Sequence, residues 1–191
     1  MLESIFVFIL AISLTFITIR LFYYSSLSIL LVIEYLALIG IITILIFLAY
    51  YDIRYMEVQG NVSFALLAFL LILNFLLYTF LGSDGVISIG DNWQYSPYQN
   101  FISTITLGAI FLLIFLLSRK KGLGDGDIRM SIVIGLLIGF QNILLWSYIT
   151  VFSALLYGLI LVFKKRKIKG LKIPFVPFMV LGCITIILLS L

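Results

Sequence analysis

The chain has 191 residues, 64% of them hydrophobic and 10% charged, and carries a formal net charge of +4. That balance excludes a soluble domain, and a basic excess confined to short loops between apolar runs argues for loop charge at a membrane and against nucleic-acid binding. One cysteine and no histidine exclude a disulfide within the chain, a Cys/His zinc site and a Ser-His-Asp triad, so the expected chemistry uses no metal or cofactor.

A spanning helix needs about 20 mostly apolar residues, and the chain supplies such runs in series. Ile5–Tyr24 predicts the first helix; it is longer than the apolar core of a signal peptide and lacks a cationic start, since Glu3 precedes it, so it reads as a retained helix. Tyr23-Tyr24-Ser25-Ser26 suits an interfacial turn. Leu27–Tyr51 predicts the second helix, with Glu34 in its first half and Asp52 at its far end. After the polar link Arg54–Asn61, Val62–Leu81 predicts a third. Gly82–Asn100 is the longest polar interval; it is aromatic and free of Lys and Arg, as expected of a loop at headgroup level.

Phe101–Leu117 predicts the fourth helix. Ile128–Phe163 is too long for one span at about 1.5 Å per residue and a hydrocarbon core of about 30 Å. It must fold back, and Gln141-Asn142 after Gly139 is the expected turn. The fifth helix, Ile128–Phe140, is then short, which places part of Gly122–Asp127 below the membrane surface. The sixth runs to Phe163, the basic loop Lys164–Lys172 follows, and Pro174–Leu191 predicts the seventh. The expected fold is an all-α polytopic transmembrane bundle of about seven spans. It forms one domain over 1–191, with an extra N-terminal helix at about 5–24 and a six-helix core over 27–191.

Seven spans put the loops around Asp52, around Asp127 and at Lys164–Lys172 on one side. Those loops hold Arg54, Arg119, Lys120, Lys121, Arg129, Lys164, Lys165, Arg166, Lys167, Lys169 and Lys172, and Arg20 alone falls opposite. The positive-inside rule predicts that this side and the N-terminus are cytoplasmic. Asp52 and the pair Asp125/Asp127 are thus expected on one membrane face at one depth. A carboxylate at such a boundary is costly to keep, and it marks a functional site by default.

Two carboxylates a few ångströms apart cannot both ionise cheaply, so they share a proton and titrate as a unit. The ionised member can take a proton from water while the protonated one polarises a peptide carbonyl. The glycines around the second pair, Gly122, Gly124 and Gly126, suit left-handed backbone angles or close approach of a strand or helix. Simpler roles compete: Asp52 as a helix-end cap or partner of Arg54, and Asp125 and Asp127 as N-terminal acids complementing a helix dipole. Arg129 opposes that dipole, and its expected use is to steady an aspartate or the substrate, or to snorkel to headgroups. Gly108, Gly135, Gly139, Gly158 and Gly182 are expected at close helix contacts.

The stretch KKGLGDGDIRMSIVIGLLIG, Lys120–Gly139, resembles the GxGD segment of the prepilin and preflagellin peptidases, intramembrane aspartic proteases that cleave class III signal peptides. Gly124-Asp125-Gly126-Asp127-Ile128-Arg129-Met130 matches the pattern of glycine, any residue, glycine, aspartate, an apolar residue, a cation and an apolar residue. Asp52-Ile53-Arg54 through Ser63 is similar to the family's first catalytic segment, with Gln59 near the position where a proline is usual. Ile173-Pro174-Phe175-Val176-Pro177-Phe178 resembles its Pro-Phe-x-Pro-Phe element. Gly122-Leu123-Gly124-Asp125 is a second GxGD string. The cation two places after Asp127 favours Asp127 over Asp125, which then helps hold the shared proton or is a solvated loop acid.

The resemblance implies catalytic roles for Asp52 and Asp127, with Gly124, Gly126, Asp125 and Arg129 in support. It implies a multi-pass plasma-membrane enzyme that acts at the cytoplasmic face on precursors carrying a short basic leader and an apolar helix, with the lipid bilayer as its other partner. Nothing resembles the Cys-x-x-Cys insert of the larger enzymes that also N-methylate, so cleavage without methylation by a minimal form is the expectation. A proton-coupled transporter or channel using the same aspartates as relay groups is the alternative, kept open by Glu34.

Overall fold

The computed structural model describes residues 29–82, 85–89, 93–118, 123–165 and 173–190. Among them run α1 (Ile29–Tyr55), α2 (Gly60–Leu81), a hairpin of β1 (Ile87–Ile89) and β2 (Trp93–Tyr95), α3 (Pro97–Leu117), α4 (Asp125–Ile138), a 3-10 turn (Phe140–Asn142), α5 (Ile143–Lys165) and α6 (Val176–Ser190). The chain is helical and built for a membrane. Leu36–Tyr55, Gly60–Leu81, Pro97–Leu117 and Phe140–Lys164 are each long and apolar enough to cross one, and Val176–Leu189 is a shorter apolar helix. Phe69, Phe75 and Phe80 on α2, Leu113 and Leu117 on α3 and Tyr148, Phe152 and Phe163 on α5 all point outward. A soluble protein would bury such a surface, and a bilayer solvates it.

The centre of the bundle is α4, the shortest helix described. Met130, Ser131 and residues 133–138 are all buried, so this helix is enclosed on nearly every side by protein. It packs most extensively on α3, and also on α2 and α6. The contact with α3 is backbone against backbone: a Cβ on Gly135 would lie 2.7 Å from Thr104 Cα and 2.9 Å from its nitrogen. Around this axis Leu38, Ile42 and Leu45 of α1, Trp146 of α5 and Met179, Ile184 and Ile187 of α6 complete the core. Trp146 donates its indole N–H to the Met179 carbonyl at 3.0 Å, joining α5 to α6.

Local chemistry explains where the helices stop. Pro97 opens α3, where its missing N–H costs nothing. Met56 closes α1 in a left-handed conformation, φ 56°, and its N–H returns to the Asp52 carbonyl at 2.9 Å. Gly139 turns the chain out of α4 with φ 72°, as the predicted break at Gln141-Asn142 requires. The last carbonyls of α4 then need acceptable partners. Asn100 Nδ2 donates to Leu136 O at 2.8 Å, and Asn142 Nδ2 donates to Ile138 O at 2.8 Å.

Two features differ from the sequence reading. α1 ends and α2, α3 and α4 start a few residues outside the apolar runs, so Asp52 lies inside α1 and Asp127 in the first turn of α4, whereas α6 lies within its predicted run. The interval read as a headgroup loop contains the hairpin, with Ile87 opposite Tyr95 and Ile89 opposite Trp93. The expected helix at 5–24, the turn at 23–26 and most of the basic loop at 164–172 lie outside the described residues, as does the side chain of Glu34.

Candidate active site

Asp52 sits in the last turn of α1 and is 6% exposed. Its Oδ2 accepts the backbone N–H of Val176 at 3.1 Å, across 124 residues of chain. Val176 is the first residue of α6, where N–H groups have no partner within the helix. Pro174 and Pro177 carry no N–H, so within Pro-Phe-Val-Pro only Phe175 and Val176 can donate, and Val176 at the head of α6 makes this bond. The α6 terminus also brings its partial positive charge to the carboxylate.

Asp127 is half-buried in the first turn of α4. Its Oδ2 accepts the Gly124 N–H at 3.0 Å, and its own N–H donates to the Gly124 carbonyl at 3.2 Å. Burial pushes the Asp127 carboxyl above the ordinary carboxylate range; the Gly124 N–H opposes that shift, and the nearby charge of Asp125 adds to it. Asp52 and Asp127 line one cavity of about 260 Å³ between the α1–α2 link and the head of α4. They are close enough to interact electrostatically. The space admits several waters.

Met56, Glu57 and Val58 line the cavity from the link, and residues 124–126 with Arg129 line it from α4. Asp125 is 85% exposed and forms an ion pair with Arg129 at 3.3 Å. Arg129 thus meets Asp125 and not Asp127, and in place of snorkelling to headgroups it turns onto α2. There its Nη1 donates to Ser63 Oγ at 3.2 Å, and its guanidinium lies 4.6 Å from the centre of the Phe64 ring. Arg54 donates to the Tyr50 hydroxyl at 3.0 Å and lies over the Tyr55 ring.

Of the two uses expected of the motif glycines, Gly124 and Gly126 show close approach at one position and a left-handed angle at neither, while Gly122 lies outside the described residues. Gly124 has φ −85° and Gly126 is helical; among the described residues, positive φ at glycine occurs at Gly82 and Gly139. Gly126 is required for another reason, because a Cβ there would lie 2.5 Å from Val58 Cγ2. At Gly124 an added Cβ would make only ordinary contact, 3.5 Å from Asp127 Oδ2, and nothing in the structure explains glycine there. Sequence reasoning did not single out Val176, Val58 or Ser63. The proline-flanked segment was the one available signal for the first; contacts across 66 or more residues leave no local trace for the others.

These features define a class: a polytopic helical membrane protein in which carboxylates from two remote helices meet at one end of the bundle. Residues 39–162, well over half of the chain, match the type IV leader peptidase family, and the chain belongs to that family. It is similar to the prepilin leader peptidase/N-methyltransferase of Bacillus subtilis (strain 168), with 29% identity over 143 residues, which are 75% of this chain and 51% of the relative. The chain thus spans about half the length of that relative. No solved structure matches it.

Proposed function

We propose that this chain is an intramembrane aspartic endopeptidase that removes leader peptides from prepilin-like or preflagellin-like precursors at the cytoplasmic face of the plasma membrane. The observation that carries the reading is the shared cavity of Asp52 and Asp127 at one end of the bundle. The ionised member of the pair takes a proton from water as the water oxygen bonds to the peptide carbonyl carbon. The protonated member meanwhile donates to the carbonyl oxygen. Collapse of the tetrahedral intermediate breaks the C–N bond, and the leaving amine receives a proton from the pair. No other nucleophile is needed.

The precursor's apolar stem enters sideways from the bilayer, and its basic leader lies near the acids of the cavity rim, Glu57 and Asp125. Family membership supports a leader-peptide substrate, and the Bacillus subtilis relative is named as a prepilin leader peptidase. The test is cleavage of a purified precursor by the chain reconstituted in liposomes. The expected result is a single cut between the basic leader and the apolar helix. An intact precursor beside a proton flux across the same liposomes would overturn the proposal.

A further inference from the structure

We infer that Arg129 is a positioning residue: with Asp125 and Ser63 it forms a clamp that fixes the head of α4 against the head of α2 and so holds Asp127 facing Asp52. The inference rests on the reading that these two acids are the catalytic pair.

The clamp is built from both helices. Arg129 lies near the positive end of the α4 dipole, an unfavourable place for a cation, and is only 15% exposed. A charge so placed persists only with partners. Asp125, one turn back, takes Nη2, and Ser63 takes Nη1. The first turn of α2 is shaped to receive the guanidinium. Gly60, Ser63 and Phe64 recur at helical spacing on one face: a Cβ on Gly60 would lie 3.4 Å from Nη1, the Ser63 hydroxyl accepts from Arg129 while donating to the Gly60 carbonyl at 2.9 Å, and the Phe64 ring lies under the cation.

A second tie sits beside it, Gly126 against Val58 in the link that leads out of α1. Asp127 lies between the two ties in sequence, and Asp52 lies just before the link. The Gly124 N–H fixes the Asp127 side chain on the head of α4, and the clamp sets how that head sits relative to Asp52. Lysine cannot replace the arginine, because one ammonium cannot reach Ser63 and Asp125 in the same planar, two-pronged geometry.

The experiment combines kinetics with a distance. Leader cleavage is measured for Arg129→Lys, Ser63→Ala and the double variant. In parallel, spin labels at Asn61→Cys and Leu123→Cys report the spacing of the two helix heads; Cys183 is fully buried and does not compete for label. The clamp predicts a fall in kcat of about 10–100-fold for Arg129→Lys, as a misplaced catalytic group gives, a smaller fall for Ser63→Ala, KM nearly unchanged, and a broadened distance distribution in both. The double variant is no worse than Arg129→Lys alone, because one interaction is removed twice.

Unchanged distances with unchanged kcat, losses that multiply independently, or a change confined to KM would each overturn the clamp. If Arg129→Lys does not fold, Ser63→Ala carries the same test. If the wild-type chain cleaves no leader while the distances still broaden, the clamp stands and the catalytic reading falls.

Discussion

The two ends of α4 handle buried polarity in opposite ways. Toward its tail three asparagine amides are tied to neighbouring groups. Asn100 gives its amide to the Leu136 carbonyl, Asn142 gives its own to Ile138, and Asn74, 4% exposed, donates to the Tyr95 hydroxyl at 2.8 Å and the Pro97 carbonyl at 3.3 Å. At its head, Asp127 and the Asp52 carboxylate beside it accept the Gly124 and Val176 N–H groups at Oδ2 and otherwise face a cavity. An ionised carboxylate has about four acceptor sites. The tail spends its polar groups on holding helices together, whereas the head keeps acceptor capacity open toward solvent, as acid–base chemistry requires.

If that contrast is right, neutralising the head removes activity and leaves the fold. Asp52→Asn and Asp127→Asn should each lower leader cleavage by about 10²–10⁴-fold, the usual contribution of general acid–base catalysis. An amide oxygen can still accept the Val176 or Gly124 N–H, so the unfolding midpoint in detergent should stay at the wild-type value. A matching loss of stability would erase the distinction between the ends.

Changes toward the tail should do the reverse. Gly135→Ala drives a methyl into the α3 backbone, where no flexible side chain can yield, and should cost about 1–3 kcal/mol in denaturant unfolding. Asn100→Leu leaves the Leu136 carbonyl without its partner and should cost about 1 kcal/mol, in the range of buried hydrogen bonds in membrane bundles. In both variants the cleavage rate per folded molecule should stay within a fewfold of wild type.

A subtler test is the pH profile. Burial favours the protonated form of Asp127, so the pair keeps a proton at pH values above the ordinary carboxylate range of about 4, and cleavage should decline only as pH rises through the elevated value. Asp125→Asn removes a negative charge that favours that proton and frees the Arg129 cation, which disfavours it. Asp52 and Glu57 face the cavity in both proteins. The declining limb should therefore move to lower pH in the variant, and a shift to higher pH would contradict the assigned geometry.

Much of this fold could be read from the chain. The apolar runs, the fold-back at Gln141-Asn142 and the short helix before it follow from bilayer thickness, which is a local constraint. So does the placement of Asp52 and Asp127 at helix ends that the structure brings together. The hairpin was not legible, because three-residue strands carry too little alternation to distinguish from an aromatic loop. Partners set by tertiary packing were also hidden. Val176 for Asp52, Ser63 for Arg129 and Val58 for Gly126 are joined by tertiary packing that no periodicity encodes, and close approach at the motif glycines could be expected without the neighbour being known.

The most direct test of the two-acid account is a side-by-side cleavage assay of Asp52→Asn, Asp127→Asn and Asp125→Asn in the same liposomes. The account predicts silence from the first two and activity within about tenfold of wild type from the third, since Asp125 acts through Arg129 and not on the reacting peptide. An inactive Asp125→Asn beside an active Asp127→Asn would contradict it.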